Sequence, residues 1–122
     1  MGVRLDWNGR RIRSKVDEKI YIVIDGLRHW VPNPATYENL FRDWDGVEDI
    51  IDIDSIDAGA DITDGAILAR GGEDPPVYLI SNGVKRHVTS PEAMDRYYFE
   101  WDRVISLPPV AVLFIPTGTE IS

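Results

Sequence analysis

The chain of 122 residues contains no cysteine, only two histidines and no long hydrophobic run. Without cysteine it forms no disulfide and no thiolate metal site, a composition compatible with any cellular compartment. A membrane-spanning helix needs about 20 consecutive, mostly apolar residues. No such run is present, so we expect no membrane span. The first fifteen residues also lack the apolar centre of a signal peptide, so we expect no leader in this chain.

Basic charge is scarce as well, with 13 Lys and Arg against 21 Asp and Glu and a net charge of -8. A nucleic-acid-binding protein needs a basic surface, so the charge argues against this class and we expect no nucleic-acid partner. The acids are concentrated between Asp43 and Asp64, a segment without Lys or Arg. We treat it as a candidate contact for a basic protein partner. The residues are Asp43, Asp45, Glu48, Asp49, Asp52 and Asp54.

Metal binding and catalysis find little support in these acids. Gly46 follows only two aspartates, and no glutamate closes an EF-hand pattern. Isoleucine and aspartate alternate over residues 51–54, which predicts a strand with one exposed face. The sequence has no HExxH, no nucleophile elbow and no phosphate-binding glycine loop. We therefore expect no metal, no cofactor and no enzymatic activity.

The chain contains an internal repeat. "GLRHWVPNPATY" (26–37) and "GVKRHVTSPEAM" (83–94) share one pattern at a displacement of 57 residues, which also aligns Trp44 with Trp101. The displacement becomes 59 where "IDAGADI" (56–62) meets "IPTGTEI" (115–121), which places two extra residues in "SLPPVAV". A repeat of this kind decides the fold prediction.

Each repeat predicts a hairpin, a short helix and a strand. Asp-Gly and Asn-Gly turns join β-branched runs, and Asn-Pro or Ser-Pro opens each helix. We expect Trp44 and Trp101 to pack against the helix and hairpin. The predicted fold is α+β: two tandem hairpin–short helix–strand repeats, about residues 10–62 and 65–121, form one pseudo-two-fold domain over 1–122. "VRLDWNGRRIRSKV" (3–16) predicts an additional N-terminal hairpin.

The second repeat, "VYLISNGVKRHVTSPEAM", resembles a tandem repeat of bacterial secreted and cell-surface proteins with the pattern YLI-x-x-G-x-K-R-x-V-x-S. That repeat often accompanies peptidoglycan amidase-type domains. The resemblance covers nearly all of residues 65–121 and is weaker over 10–62, where Trp30 and Pro32 depart from the pattern. It implies a non-catalytic module that binds glycan or cell wall, in an extracellular or cell-surface location.

Strand alternation places Arg28 and Trp30 on one face, and Lys85 and His87 on the matching face of the second repeat. An aromatic ring beside a cation or an imidazole suits a sugar, whose apolar face stacks on the ring. The candidate ligand-binding residues are Arg28, Trp30, Tyr37, Lys85, His87 and Met94. The sequence thus predicts a non-catalytic binding module for a glycan or cell-envelope polymer, with two related sites. The alternatives are an acidic, immunity-type inhibitor domain, a structural repeat that self-associates, and a Trp30 that merely belongs to the core.

Overall fold

A computed structural model describes residues 2–122. It contains two four-stranded mixed sheets and three short helices. The strands are β1 (Arg11–Ser14), β2 (Ile20–Ile24), β3 (Leu27–Val31), β4 (Glu48–Ile50), β5 (Ile67–Gly71), β6 (Val77–Ser81), β7 (Val84–Val88) and β8 (Ile105–Leu107). The α-helices are α1 (Pro34–Leu40), α2 (Pro91–Arg96) and α3 (Pro109–Leu113), and short 3-10 helices cover Leu5–Trp7, Ile53–Ser55 and Trp101–Arg103.

The two sheets have the same topology. Their strand orders are β3-β2-β1-β4 and β7-β6-β5-β8, with the last strand of each parallel to its neighbour and the other pairs antiparallel. The register also repeats, since Ile12 pairs with Glu48 in the first sheet and Ala69 with Ile105 in the second. The α+β fold and its internal duplication are thereby confirmed.

Local sequence signals explain the recurring hairpins and helices. Both residues of each turn adopt positive φ: 57° and 72° at Asp25 and Gly26, 58° and 75° at Asn82 and Gly83. This is the geometry that Asp-Gly and Asn-Gly turns favour. At the helix starts, the side chains of Asn33 and Ser90 accept hydrogen bonds from the backbone N–H of the third residue of α1 and α2, respectively. Both helices then begin with proline, whose missing N–H would have no partner there.

An extended segment closes each unit by running beside its last hairpin strand. The Arg28 N–H donates to the Asp57 carbonyl (2.9 Å), and the Lys85 N–H donates to the Pro116 carbonyl (2.8 Å). These acceptors lie 59 residues apart, as the sequence alignment requires. The two additional residues fall at α3, which stands where the first unit has only the 3-10 helix Ile53–Ser55.

One hydrophobic core joins the two units. Its largest side chains, each at most 1% exposed, include Tyr37 and Phe41 from the first unit and Tyr97 and Phe99 from the second. Phe41 and Phe99 also form an antiparallel backbone bridge, with ring centroids 5.6 Å apart. An antiparallel crossing between equivalent segments is the contact that a local two-fold axis produces.

Two sequence predictions are wrong. The N-terminal hairpin does not form, because Leu5–Trp7 is a 3-10 helix and the segment around it docks on the β2–β3 turn. There the Arg4 N–H donates to the Gly26 carbonyl (2.8 Å), and the Asn8 side chain accepts from the Gly26 N–H (2.7 Å).

The alternating Ile–Asp segment is likewise not one long strand. Strand pairing ends at Ile50. Asp52 is the N-cap residue of the next 3-10 helix, and Asp54 lies within that helix. Its three-residue turn brings Ile53 and Ile56 onto the same side. Ile56 lies with Ile12 and Val23 in a small hydrophobic cluster apart from the main core, and Ile53 packs against this cluster. Burial of isoleucine therefore overrides the alternating pattern.

Helices are short throughout the described part of the chain. The longest, α1, has seven residues. None of the helices within residues 2–122 reaches the length and apolar character that crossing a membrane requires.

Candidate functional site

A cleft opens at the same place in each unit, between the loop before the hairpin, the end of the hairpin and the start of the helix. The first has a volume of about 280 Å³ and the second about 400 Å³. All nine residues that line the second cleft lie 57 positions after residues that line the first. The corresponding pairs that bear most on function are Trp30 with His87, Lys19 with Pro76, and Trp44 with Trp101. The duplicated scaffold therefore carries a duplicated concave surface.

An aromatic stack forms one wall of the first cleft. The Trp44 ring lies on the Tyr37 ring with 3.8 Å between centroids and 15° between planes. Tyr37 is buried beneath it, whereas Trp44 is 40% exposed. Trp30 lines the cleft from β3, with the Lys19 ammonium 5.0 Å from its ring centroid. The cleft thus offers two indole surfaces within one concavity.

Charged and polar groups border these rings. Asp17, Glu18 and Lys19 come from the exposed loop between β1 and β2, and Asn33 from the start of α1. The Asn33 side chain is already engaged, since it caps α1 and donates to Asp64 (2.8 Å). The loop carboxylates and the ammonium are thus the groups placed to bond a polar ligand.

The second cleft is less charged. Pro75 and Pro76 stand where the first cleft has Glu18 and Lys19. Trp101 is 46% exposed, and the His87 Nδ1 lies 3.5 Å from a Glu120 carboxylate oxygen. An exposed indole is therefore common to both clefts, whereas the polar rim differs.

Two of the predicted ligand-binding residues, Arg28 and Lys85, make structural contacts. Arg28 Nε donates to the Ile56 carbonyl (2.8 Å), and Lys85 Nζ donates to the Val112 carbonyl (2.6 Å). Each cation also lies over a tyrosine of the neighbouring strand, at 5.3 Å for Arg28 and 5.4 Å for Lys85. Both side chains tie down the segment that follows the parallel edge strand, and neither lines either of these two clefts.

The other predicted residues divide between cleft and core. Trp30 and Tyr37 meet in the first cleft, and His87 lines the second. Met94 is 1% exposed and lies in the core, where a ligand does not reach it. The sequence pattern predicts only packing for Trp44 and Trp101, although both are exposed. Their recurrence at one displacement was the signal that could have identified them.

Between the units lies a further cleft of about 290 Å³, whose polar groups largely bond to one another. Arg86 donates to the Asp25 carboxylate (2.7 Å) and to the Thr119 carbonyl (2.7 Å). The corresponding His29 ring contacts the carbonyls of Ala60 (2.7 Å) and Ile24 (3.1 Å). These bonds connect strands and units, which is a structural role.

All six candidate acidic residues are exposed. Arginines of the same chain pair with Glu48 (3.7 Å), Asp49 (2.7 Å) and Asp54 (3.2 Å). The hydrogen bond from Arg13 lowers the pKa of Asp49, and the Tyr98 hydroxyl does the same for Asp43. A basic partner would therefore have to compete with these internal contacts.

Within residues 2–122, no three His, Asp or Glu side chains are grouped in a way that could hold a metal ion. Comparisons of the chain with protein-family models, with curated proteins and with solved structures give no match.

Proposed function

We propose that the protein is a non-catalytic binding module that holds a glycan or cell-envelope polymer in its two corresponding clefts. The observation that carries the proposal is the duplicated cleft itself. Nine lining positions recur, and each copy presents a tryptophan that is at least 40% exposed. A tryptophan needed only for packing gains nothing from this exposure, since its stabilising contribution comes from burial.

The chemistry of the first cleft suits a sugar ring. An indole provides a flat apolar surface for the C–H face of a pyranose, and nearby polar groups orient the hydroxyls. Trp30 and Trp44 supply such surfaces, and the exposed loop residues Asp17, Glu18 and Lys19 supply the polar groups. Volumes of about 280 and 400 Å³ are at the small end for ligand sites, which fits a short stretch of a longer polymer.

Two sites on one rigid frame also suit a repetitive ligand. When one cleft is occupied, the second meets its ligand at a high effective concentration, so two weak sites give useful avidity. The resemblance of residues 65–121 to repeats of bacterial cell-surface proteins favours an envelope polysaccharide as that ligand.

The test is retention of the protein on insoluble polysaccharides, including purified bacterial peptidoglycan, at low and high salt. We expect salt-resistant retention, because stacking is not screened as ion pairing is. Trp44→Ala and Trp101→Ala should each weaken retention by about tenfold, and the double variant should abolish it. Phe114→Ala is the control, because that ring is 79% exposed but lies outside both clefts.

Other outcomes separate the alternatives. Failure of every polysaccharide to retain the protein would refute the proposal for those ligands. Capture of a basic protein that is lost at high salt and depends on Asp45 and Asp52 would favour the inhibitor role. Concentration-dependent sedimentation would favour self-association.

A further inference from the structure

We infer that the two clefts are unequal, and that the buried Arg11 is the positioning residue that makes the first cleft the stronger site. This inference rests on the proposed function. Arg11 lies on the core-facing side of β1 and is 7% exposed. It does not line the cleft, so it acts through the residues it holds.

The Arg11 guanidinium holds the backbone on both sides of Trp44. Nη2 donates to the Asp45 carbonyl (2.6 Å), and Nη1 lies 3.3 Å from the Asp43 carbonyl. The loop also closes tightly over the guanidinium, since a Cβ on Gly46 would lie 2.8 Å from Nη2. The position of the Trp44 backbone is therefore determined from inside the core.

The same guanidinium fixes the surface on which the indole rests. Nη1 donates to the Tyr37 hydroxyl (2.7 Å), and that hydroxyl donates to the Asp43 carbonyl (2.5 Å). The Tyr98 ring lies 3.9 Å from the guanidinium, and its hydroxyl donates to the Asp43 carboxylate (2.6 Å). Trp44 therefore stacks on a tyrosine that is itself immobilised.

The second unit shows what the fold does without this arrangement. Arg11 pairs with Ile22 in the first sheet, and the corresponding pair in the second is Leu68 with Leu79. Tyr37 likewise corresponds to Met94, so the second unit has neither the arginine nor the tyrosine at the positions that support Trp44 in the first. Trp101 instead begins a 3-10 helix that Glu100 caps.

Leu68 also shows that an apolar side chain satisfies the sheet at this position. Burying a guanidinium is unfavourable unless its donors find acceptors, and Arg11 Nε has no hydrogen-bond partner. The second unit thus forms the same sheet without a charge at this position. What it adds is a pre-organised aromatic wall, and a ligand loses less entropy when it binds to side chains that are already ordered.

The first test needs no ligand. Nuclear magnetic relaxation of the indole ¹⁵N reports the order of Trp44 and Trp101 separately. We expect Trp44 to be the more ordered, and Arg11→Leu, which installs the residue of the second unit, to remove the difference. Arg10→Leu is the matched control, because it removes an exposed arginine next to Arg11. Tyr37→Phe, which keeps the ring and removes only the hydroxyl, should produce a smaller change in the same direction if Arg11→Leu does not fold.

The second test measures binding to purified peptidoglycan in the Trp101→Ala background, where only the first cleft retains its indole. Arg11→Leu should weaken this binding by about tenfold, whereas Arg10→Leu should leave it unchanged. Equal indole order in the two clefts, or a Trp44 that stays ordered in both Arg11→Leu and Tyr37→Phe, would overturn the inference. If the unmodified protein binds no polysaccharide, the proposed function is refuted instead. The relaxation data would still decide whether Arg11 orders Trp44.

Discussion

Alanine at the two hairpin glycines should have unequal effects although the turns are equivalent. Gly26 and Gly83 have φ of 72° and 75°, so alanine introduces the same backbone strain at both. A Cβ at Gly83 meets no atom within 4 Å, whereas one at Gly26 would lie 2.4 Å from Val3 Cγ1 and 2.9 Å from the Arg4 nitrogen. The difference between the free energies of unfolding lost by the two variants therefore measures the docking of the N-terminal segment on the turn.

The magnitudes follow from these contacts. A left-handed non-glycine residue costs about 1–2 kcal/mol, which is the whole effect expected for Gly83→Ala. Gly26→Ala must also displace the backbone of residues 3–5 and break the hydrogen bond from Arg4 (2.8 Å). Together with the bond to Asn8 (2.7 Å), this adds about 1–3 kcal/mol to the free energy lost. The extra loss corresponds to a further fall in Tm of roughly 4–12 °C.

Urea and thermal unfolding followed by circular dichroism measure both variants. Adding Val3→Ala to Gly26→Ala should recover part of the extra loss, because it removes the nearest clashing atom. If the two glycine variants lose the same free energy of unfolding, the N-terminal segment does not dock on the turn and the reasoning fails.

Two further predictions concern titration. Burial raises the pKa of Tyr37 and of Tyr97, so the stability they contribute is present below pH 10 and is lost as pH rises through their higher folded values. Absorbance titration of phenolate should therefore show tyrosines that ionise late and together with unfolding; ionisation of all five at the ordinary value would contradict this. The Tyr98 hydroxyl lowers the pKa of Asp43. The stability that this hydrogen bond contributes is therefore present above pH 3.8, the ordinary pKa of aspartate, and is lost as pH falls through the lowered pKa. Tyr98→Phe should accordingly destabilise the protein near neutral pH more than in strong acid; unfolding curves that differ equally at both pH values would argue against this bond.

The sequence predicted the repeating elements well because their signals are local. Paired positive φ values at Asp-Gly and Asn-Gly, and proline after a capping residue, act within a few residues of chain. The prediction for the N-terminal segment was wrong because it also relied on a local signal. Asn8-Gly9 is a dipeptide typical of hairpin turns. Only the tertiary contact with Gly26 determines its structure.

The candidate site was harder to predict because burial is a property of the whole fold. Alternation places Arg28 on the same face of β3 as Trp30, but it cannot show that the guanidinium is already bonded to the distant Ile56 carbonyl. Similarly, no sequence pattern distinguishes the buried Met94 from a ligand-facing one. Nothing in the local sequence singles out Arg11, because its role depends on a loop more than thirty residues away.

The antiparallel crossing of Phe41 and Phe99 also limits how this fold can be extended. Because the crossing lies on a local two-fold axis, the two units contact each other through the same segment. Both copies of that segment are therefore already paired. A third unit added to the chain would find no free copy of the contact. Longer chains of this kind would therefore gain repeat units in pairs, and each pair would form a separate domain. The distance between the two clefts within each pair would then stay constant, while the linkers would set the distance from one pair to the next.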